Sequence, residues 1–354
     1  MRLAALSLVF LLGACTAGSA GEHRAPDNEG DGPAEGEGED EGEGEGEGEG
    51  EGEGEGEGDG EGEGEGEGEA PSCGGGGPLP GCVEEGGGSY SCTLEHDGVE
   101  RRYLLHVPAG EASTARPVVF AFHGLRTTAS LQRWISRMDE DADANGYVVV
   151  YPEGLGENAL SQSFNAGLCC GFASDNDVDD VGFTLAILAQ LRAALCIDDA
   201  RVHATGLSNG GHMAYRLACE QAEVFASVAS VAGVVTQLPC TPSRPVAVLH
   251  FHGTEDNVVS YGGYGGFAGA EATVAGWADR NGCDDAPVET LAQGEVSCVA
   301  WPGCASSSAA ELCTIEGGGH TWPGGEEFEA LGHTTQDISA TARIAEFFAA
   351  HPMP

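Results

Sequence analysis

From Tyr90 onward, short apolar runs alternate with stretches of helical periodicity. Tyr90–Leu94 and Val99–Val107 read as strands joined by the turn His96-Asp97-Gly98. Pro117–Phe122 is apolar at every position, which marks a strand buried on both faces of a parallel sheet. Thr128–Asn145 follows as a helix that Gly146 ends, and Tyr147–Tyr151 as the next buried strand. The later pairs repeat the scheme. A helix over Val181–Leu195 leads to a strand around Arg201–Ala204, and a helix around Met213–Ala218 to a strand near Phe225–Val231. Pro245–Phe251 then precedes a helix over Ala270–Asn281. A hairpin of Val296–Trp301 and Glu311–Ile315 comes next, and an amphipathic helix near Ile338–Ala350 closes the chain. This order predicts an α/β fold, a doubly wound, mostly parallel sheet with helices on both faces.

The pattern stops short of the N-terminus. Residues 22–70 hold 23 of the 58 acidic residues and a single Arg, mostly as a Glu-Gly repeat from Glu35 to Glu69. With nothing apolar to bury and strong self-repulsion, residues 16–70 are expected to be a disordered acidic linker. Residues 71–354 are then expected to form one large α/β domain. The formal charge is −44 and there is no Lys, which argues against nucleic acid and anionic membrane surfaces as partners. Residues 1–15 read as a signal peptide: Arg2, then an apolar core over Leu3–Leu12 too short to span a bilayer. Leu12-Gly13-Ala14-Cys15 is similar to a bacterial lipobox, so Cys15 is the expected lipidation site and membrane anchor, with a plain secretory signal as the alternative. Either way the protein is expected to be exported, to the extracellular space or the surface of a bacterium.

Export permits disulfides, and 12 of the 13 cysteines remain once Cys15 is set aside. Cys298 and Cys313 fall opposite one another in the hairpin, and Cys283 can meet Cys304 across its base. Cys169 and Cys170 are adjacent and are expected to have separate partners.

The chemistry centres on Gly206-Leu207-Ser208-Asn209-Gly210, between a strand and a helix. A tight strand-to-helix turn lifts the Ser208 hydroxyl clear of the sheet, and glycines two residues either side avoid collision. A Gly-rich turn is the plain alternative; two later stretches decide against it. His252-Gly253-Thr254-Glu255-Asp256 follows a buried strand, where open α/β sheets carry their ligand chemistry. Gly317-Gly318-Gly319-His320-Thr321-Trp322 places a His on a Gly-built loop. A weakly nucleophilic Ser208 needs His320 as base, and Asp256 fixes the imidazole tautomer. Glu255 competes with Asp256 as the carboxylate, and His212, His252 and His333 compete as the base. His250-x-His252 could hold a metal but lacks a third ligand, so no metal or cofactor is expected. The oxyanion donors are expected to be the backbone N–H groups of Leu125 and Asn209. Trp322 and His123 are assigned to the substrate-binding set, His123 as the brace of its loop rather than a participant in the chemistry. Asp179 and Asp180 are read as helix-capping groups, and the long Pro152–Asn176 loop, with Phe164 and Phe172, as a wall of the pocket.

The stretches AFHG, DVDDVGF, RVHATGLSNGGHMAYRLACE, HGTEDNVVSYGG and GGGHTWPGG resemble those of secreted polyhydroxybutyrate-depolymerase-like and feruloyl esterases, over about Tyr90 to Ala350. The resemblance implies an α/β-hydrolase carboxylesterase with Ser208 as nucleophile, Asp256 as acid and His320 as base, Leu125 and Asn209 at the oxyanion hole, and Trp322 beside the site. It implies an ester substrate on a polymer, plant polysaccharide or polyester. A monomer is expected. Two departures bear on substrate preference: His212 stands where relatives carry Met, and the oxyanion loop reads HGLRTT, where many relatives have a small residue after the Gly.

Overall fold

The computed structural model describes residues 79–110 and 113–354. The expected signal peptide, Cys15 and the Glu-Gly linker lie outside the described residues. Three strands open the fold: β1 (Cys82–Gly86), β2 (Ser89–His96) and β3 (Val99–His106). After β4 (Arg116–Phe122) come α1 (Ala129–Ser136), α2 (Met138–Asn145) and β5 (Val148–Pro152). Then follow the short α3 (Phe172–Asp175), α4 (Asp180–Ala194), β6 (Ile197–Leu207), α5 (Asn209–Glu220), β7 (Ser227–Val231) and β8 (Ala247–Gly253). A small ribbon of β9 (Gly263–Tyr264) and β10 (Phe267–Ala268) precedes α6 (Ala270–Arg280). The chain finishes with β11 (Val288–Gln293), β12 (Val296–Ala300), β13 (Ala310–Ile315) and α7 (Ala340–Ala350).

Eleven strands form one sheet in the order β1-β2-β3-β5-β4-β6-β7-β8-β13-β12-β11. Its centre, β5 to β13, is parallel, and both wings are antiparallel. Alternation along β4 shows why the central runs are apolar throughout. Val118, Phe120 and Phe122 enter the core that includes residues of α4, α5 and α6, while Val119 and Ala121 enter the core that includes residues of α1, α2 and α7. This is the doubly wound arrangement that the pattern predicts.

Three expectations need correction. The single helix over Thr128–Asn145 is two. Arg137 adopts φ 51° and ψ 32°, and its N–H caps α1 on the Arg133 carbonyl. Asp139, Glu140 and Asp141 then begin α2, where a helix N-terminus favours carboxylates. Cys169 and Cys170 bond to each other, with Cα atoms 3.1 Å apart, rather than to separate partners. Other cysteines are taken up by Cys82–Cys92, Cys219–Cys240 and the two expected pairs, Cys283–Cys304 and Cys298–Cys313. Asp179 does cap α4, accepting from the Gly182 N–H, but Asp180 is buried and ion-paired to Arg101 at 2.6 Å. Its other oxygen accepts the Asn165 N–H at 2.7 Å, which ties the long loop before α4 to the sheet.

Candidate active site

Ser208 sits between β6 and α5 with φ 58° and ψ −118°, a left-handed conformation that costs a non-glycine residue about 1–3 kcal/mol. The surroundings impose it. A Cβ at Gly206 would lie 2.6 Å from the Phe122 carbonyl oxygen, and one at Gly210 only 2.1 Å from the same atom. The elbow is therefore packed hard against the end of β4, and neither glycine tolerates a side chain.

The loops after β8 and β13 meet at equally close range: a Cβ on Gly253 would lie 2.1 Å from the Gly318 carbonyl oxygen. That approach brings Asp256 and His320 together although they are 64 residues apart. His320 Nδ1 donates to Asp256 Oδ2 at 2.7 Å. With its proton committed there, Nε2 is the lone-pair nitrogen. The Val258 and Val259 N–H groups donate to Asp256 Oδ1, both at 2.9 Å. Burial opposes the charge on Asp256, but the His320 charge and hydrogen bonds from His252 and His320 together hold its carboxyl well below the usual carboxylate range. Glu255 makes no such contact with His320 among the described hydrogen bonds; its backbone N–H is used instead, donating to Gly318.

Ser208 and His320 line one apolar cleft of about 120 Å³, together with Leu125, Cys170, Tyr264 and Trp322. Leu125 follows the end of β4 and Asn209 begins α5, where helix N–H groups lack intrahelical partners. The Asn209 side chain clamps the long loop: Oδ1 accepts from Phe164 N–H at 2.7 Å and Nδ2 donates to its carbonyl at 3.0 Å. Trp322 is buried along the cleft wall and donates from Nε1 to Thr341 at 3.0 Å.

His123 is not in the cleft, against its assignment to the substrate-binding set. It is fully buried; its Nε2 accepts the Gly154 N–H at 2.9 Å and its Nδ1 donates to the Gly124 carbonyl at 2.8 Å. Burial lowers its pKa to about 4, so it is a neutral brace between two loops. Phe164 is likewise core, meeting Phe122 edge-to-face at 5.1 Å, and the long loop reaches the cleft through Cys170 instead. His250 and His252 bond to each other at 2.9 Å, and their outer nitrogens are engaged by the Tyr215 hydroxyl and the Val259 carbonyl. His333 pairs with Glu295, away from Asp256.

Sequence reasoning missed Tyr264. It lines the cleft from the β9–β10 ribbon, and its hydroxyl lies 3.3 Å from His212 Nε2. The Gly262-Gly263-Tyr264-Gly265-Gly266 run was the available signal, an aromatic residue presented on a glycine turn. His212 also lines the cleft, its other nitrogen held by the Val234 backbone, and burial lowers its pKa to about 4.

A strained serine at an elbow and an Asp–His pair at the ends of two neighbouring parallel strands are the arrangement of the α/β-hydrolase class. The protein-family model described as esterase PHB depolymerase matches residues 101–259. "Probable feruloyl esterase C" of Aspergillus clavatus is 32% identical over 233 residues, covering 63% of this chain and 77% of that protein. Feruloyl esterase B of Piromyces equi is 31% identical over 235 residues, covering 62% of this chain but only 42% of its own length. The chain belongs to the polyhydroxybutyrate-depolymerase-like and feruloyl esterase family. Among solved structures, acetyl xylan esterase from Aspergillus awamori superposes with a TM-score of 0.53 at 17% identity, covering 71% of this chain and 94% of that one, which shows a shared fold.

Proposed function

We propose that the protein is an exported serine carboxylesterase that cleaves feruloyl and related hydroxycinnamoyl esters of plant-wall polysaccharide through an acyl-enzyme. The observation that carries the reading is the 2.7 Å Asp256–His320 bond beside the cleft that Ser208 also lines. Ser208 attacks the ester carbonyl, His320 Nε2 takes its proton and returns it to the leaving alcohol, and water then repeats the cycle on the acyl-enzyme. Leu125 and Asn209 N–H groups receive the oxyanion. An aromatic acyl group suits a cleft walled by Leu131, Ile135, Trp322 and Tyr264. Trp134, half exposed on α1, meets the cleft residue Phe328 edge-to-face at 5.7 Å and extends the apolar surface outward, as a polymer-borne ester requires. Lipid on Cys15 and an extended spacer of about 50 residues within 16–70, with a maximal reach of roughly 170 Å, would let a tethered enzyme reach an insoluble substrate.

A second reading is an acetyl or other short-chain esterase. The cleft volume of about 120 Å³ favours it, since pockets for drug-sized ligands run to ~300–1,000 Å³. The test is kcat/KM on methyl ferulate, a nitrophenyl acetate and a hydroxybutyrate oligomer, repeated with Trp322→Ala. Ferulate is expected to win and to lose most from the substitution. Acetate winning by tenfold supports the second reading, the oligomer winning by tenfold supports a polyester depolymerase, and a Trp322→Ala enzyme with an unchanged ferulate rate removes Trp322 from the acyl site. Ser208→Ala retaining a tenth of the activity while folded would overturn the serine mechanism.

A further inference from the structure

Strand β8 carries an unexplained pair. Its neighbours in the core are Val248, Leu249 and Phe251, yet His250 and His252 occupy alternate positions with essentially no exposure. Apolar side chains would fill that space without the cost of burying imidazole. The four ring nitrogens are all engaged, and their partners fix every proton. The Val259 carbonyl accepts only, so His252 Nε2 carries hydrogen and donates to it at 2.7 Å. His252 Nδ1 is then an acceptor, and His250 Nε2 donates to it at 2.9 Å. His250 Nδ1 is in turn an acceptor, and the Tyr215 hydroxyl donates to it at 2.8 Å. The two imidazole rings lie nearly parallel, 5.2 Å apart. At the far end, His252 Nε2 also stands 3.4 Å from Asp256 Oδ2, the oxygen that receives His320.

We propose that Tyr215, His250 and His252 form a directional hydrogen-bond relay that positions Asp256, with every proton pointing toward the carboxylate. It rests on the reading of Ser208, His320 and Asp256 as one catalytic unit. The relay secures the acid in two ways. His252 holds the carbonyl of Val259, whose own N–H holds Asp256 Oδ1, so the 256–259 turn is pinned from both sides. The same His252 N–H faces Oδ2 and fixes the carboxylate plane toward His320. Because Tyr215 belongs to α5, the helix that Ser208 heads, the relay also joins the nucleophile's helix to the acid's loop through β8. The other tautomer of His252, with its hydrogen on Nδ1, would turn the Nε2 lone pair toward both the Val259 carbonyl and Asp256. The acceptor-only Val259 carbonyl excludes this, and Tyr215 completes the order at the opposite end by donating to His250 Nδ1. His252 is thus a positioning residue, and its hydrogen bonding, rather than its volume, is what the site uses.

The test has two arms. In the wild-type protein with 15N-labelled histidine, NMR is expected to show His250 and His252 as neutral Nε2–H tautomers at neutral pH. Either ring as Nδ1–H, or as a mixture, overturns the relay. Kinetics on a nitrophenyl ester form the second arm, since hydrogen bonds to charged groups translate to about 10- to 100-fold in rate. His252→Phe keeps the bulk but not the donor and is expected to lose kcat by that factor with KM unchanged. His252→Gln restores a donor and is expected to recover most of it, and Tyr215→Phe is expected to lose kcat by about three- to tenfold. Phe and Gln variants that are equally active, or equally impaired with KM moving together with kcat, overturn the proposal. An inactive Ser208→Ala beside a fully active His252→Phe sinks the relay alone, whereas an active Ser208→Ala sinks the catalytic reading beneath it.

Discussion

Replacing Asp256 by Asn changes one atom, and the structure dictates which way it turns. The Val258 and Val259 N–H groups both donate to Oδ1 at 2.9 Å. If the new amide group faced them, two buried donors would lose their acceptor, at about 1–3 kcal/mol each. The amide oxygen therefore stays on the turn, and the NH2 faces His320 Nδ1 and His252 Nε2, both hydrogen-bond donors in the wild type. His320 resolves the clash by moving its proton to Nε2 and accepting at Nδ1. The imidazole then presents N–H, not a lone pair, to Ser208 and cannot act as base. The equivalent substitution in serine proteases costs about 10,000-fold in kcat, or ~5.5 kcal/mol of barrier, and the same factor is expected here with KM little changed. The fold survives, because the lost charge-assisted bond is small against the ~5–15 kcal/mol that stabilises a domain. The assay is kcat and KM on a nitrophenyl ester, with a thermal melt to confirm folding. A folded Asp256→Asn enzyme within tenfold of wild type would refute the tautomer argument and the assignment of Asp256.

Further expectations concern stability and anchoring. His123 and His212 have pKa values lowered to about 4 by burial, and His203 to about 3 by burial and by the Arg201 charge. Their folded values lie below the unfolded ~6.5, so the neutral form belongs to the fold: stability is whole above pH 6.5 and falls as the pH drops. The loss is ~2–3 kcal/mol per His by pH 4.5, and equal denaturant midpoints at pH 7 and 4.5 would contradict it. Cys298–Cys313 closes a 15-residue separation, so a Cys298→Ala/Cys313→Ala double variant is expected to lose ~3 kcal/mol and melt several degrees lower; an unchanged melt shows the bridge is not formed. Cys15→Ser is expected to move the protein from the membrane fraction to the soluble fraction, and an unchanged distribution removes the lipid anchor.

The sequence by itself determined the central strands of the sheet and the proposed Ser208, Asp256 and His320 set, because their causes are local; the two outermost strands, β1 and β11, it did not reveal. A run such as Val118–Phe122, apolar at every position, admits a strand covered on both faces and little else. Gly206 and Gly210 report their own crowding. Asp256 and His320 each directly follow a strand-and-glycine signal that marks a loop at the top of the sheet. The hairpin register that pairs Cys298 with Cys313 was also legible, since alternation fixes which residues face each other. What the tertiary structure alone decided depends on partners far apart in the chain. Residues 128–145 carry one helical periodicity, and the break at Arg137 comes from acidic residues able to start a second helix and from packing that the periodicity does not encode. Cys169 and Cys170 look unable to pair until the loop's path brings their sulfurs together. His123, His212, His250, His252 and His320 are the same letter in the sequence. Only their hydrogen-bond partners, contributed by other strands and loops, make one a brace and one a wall, and set apart the two of the proposed relay and the proposed base.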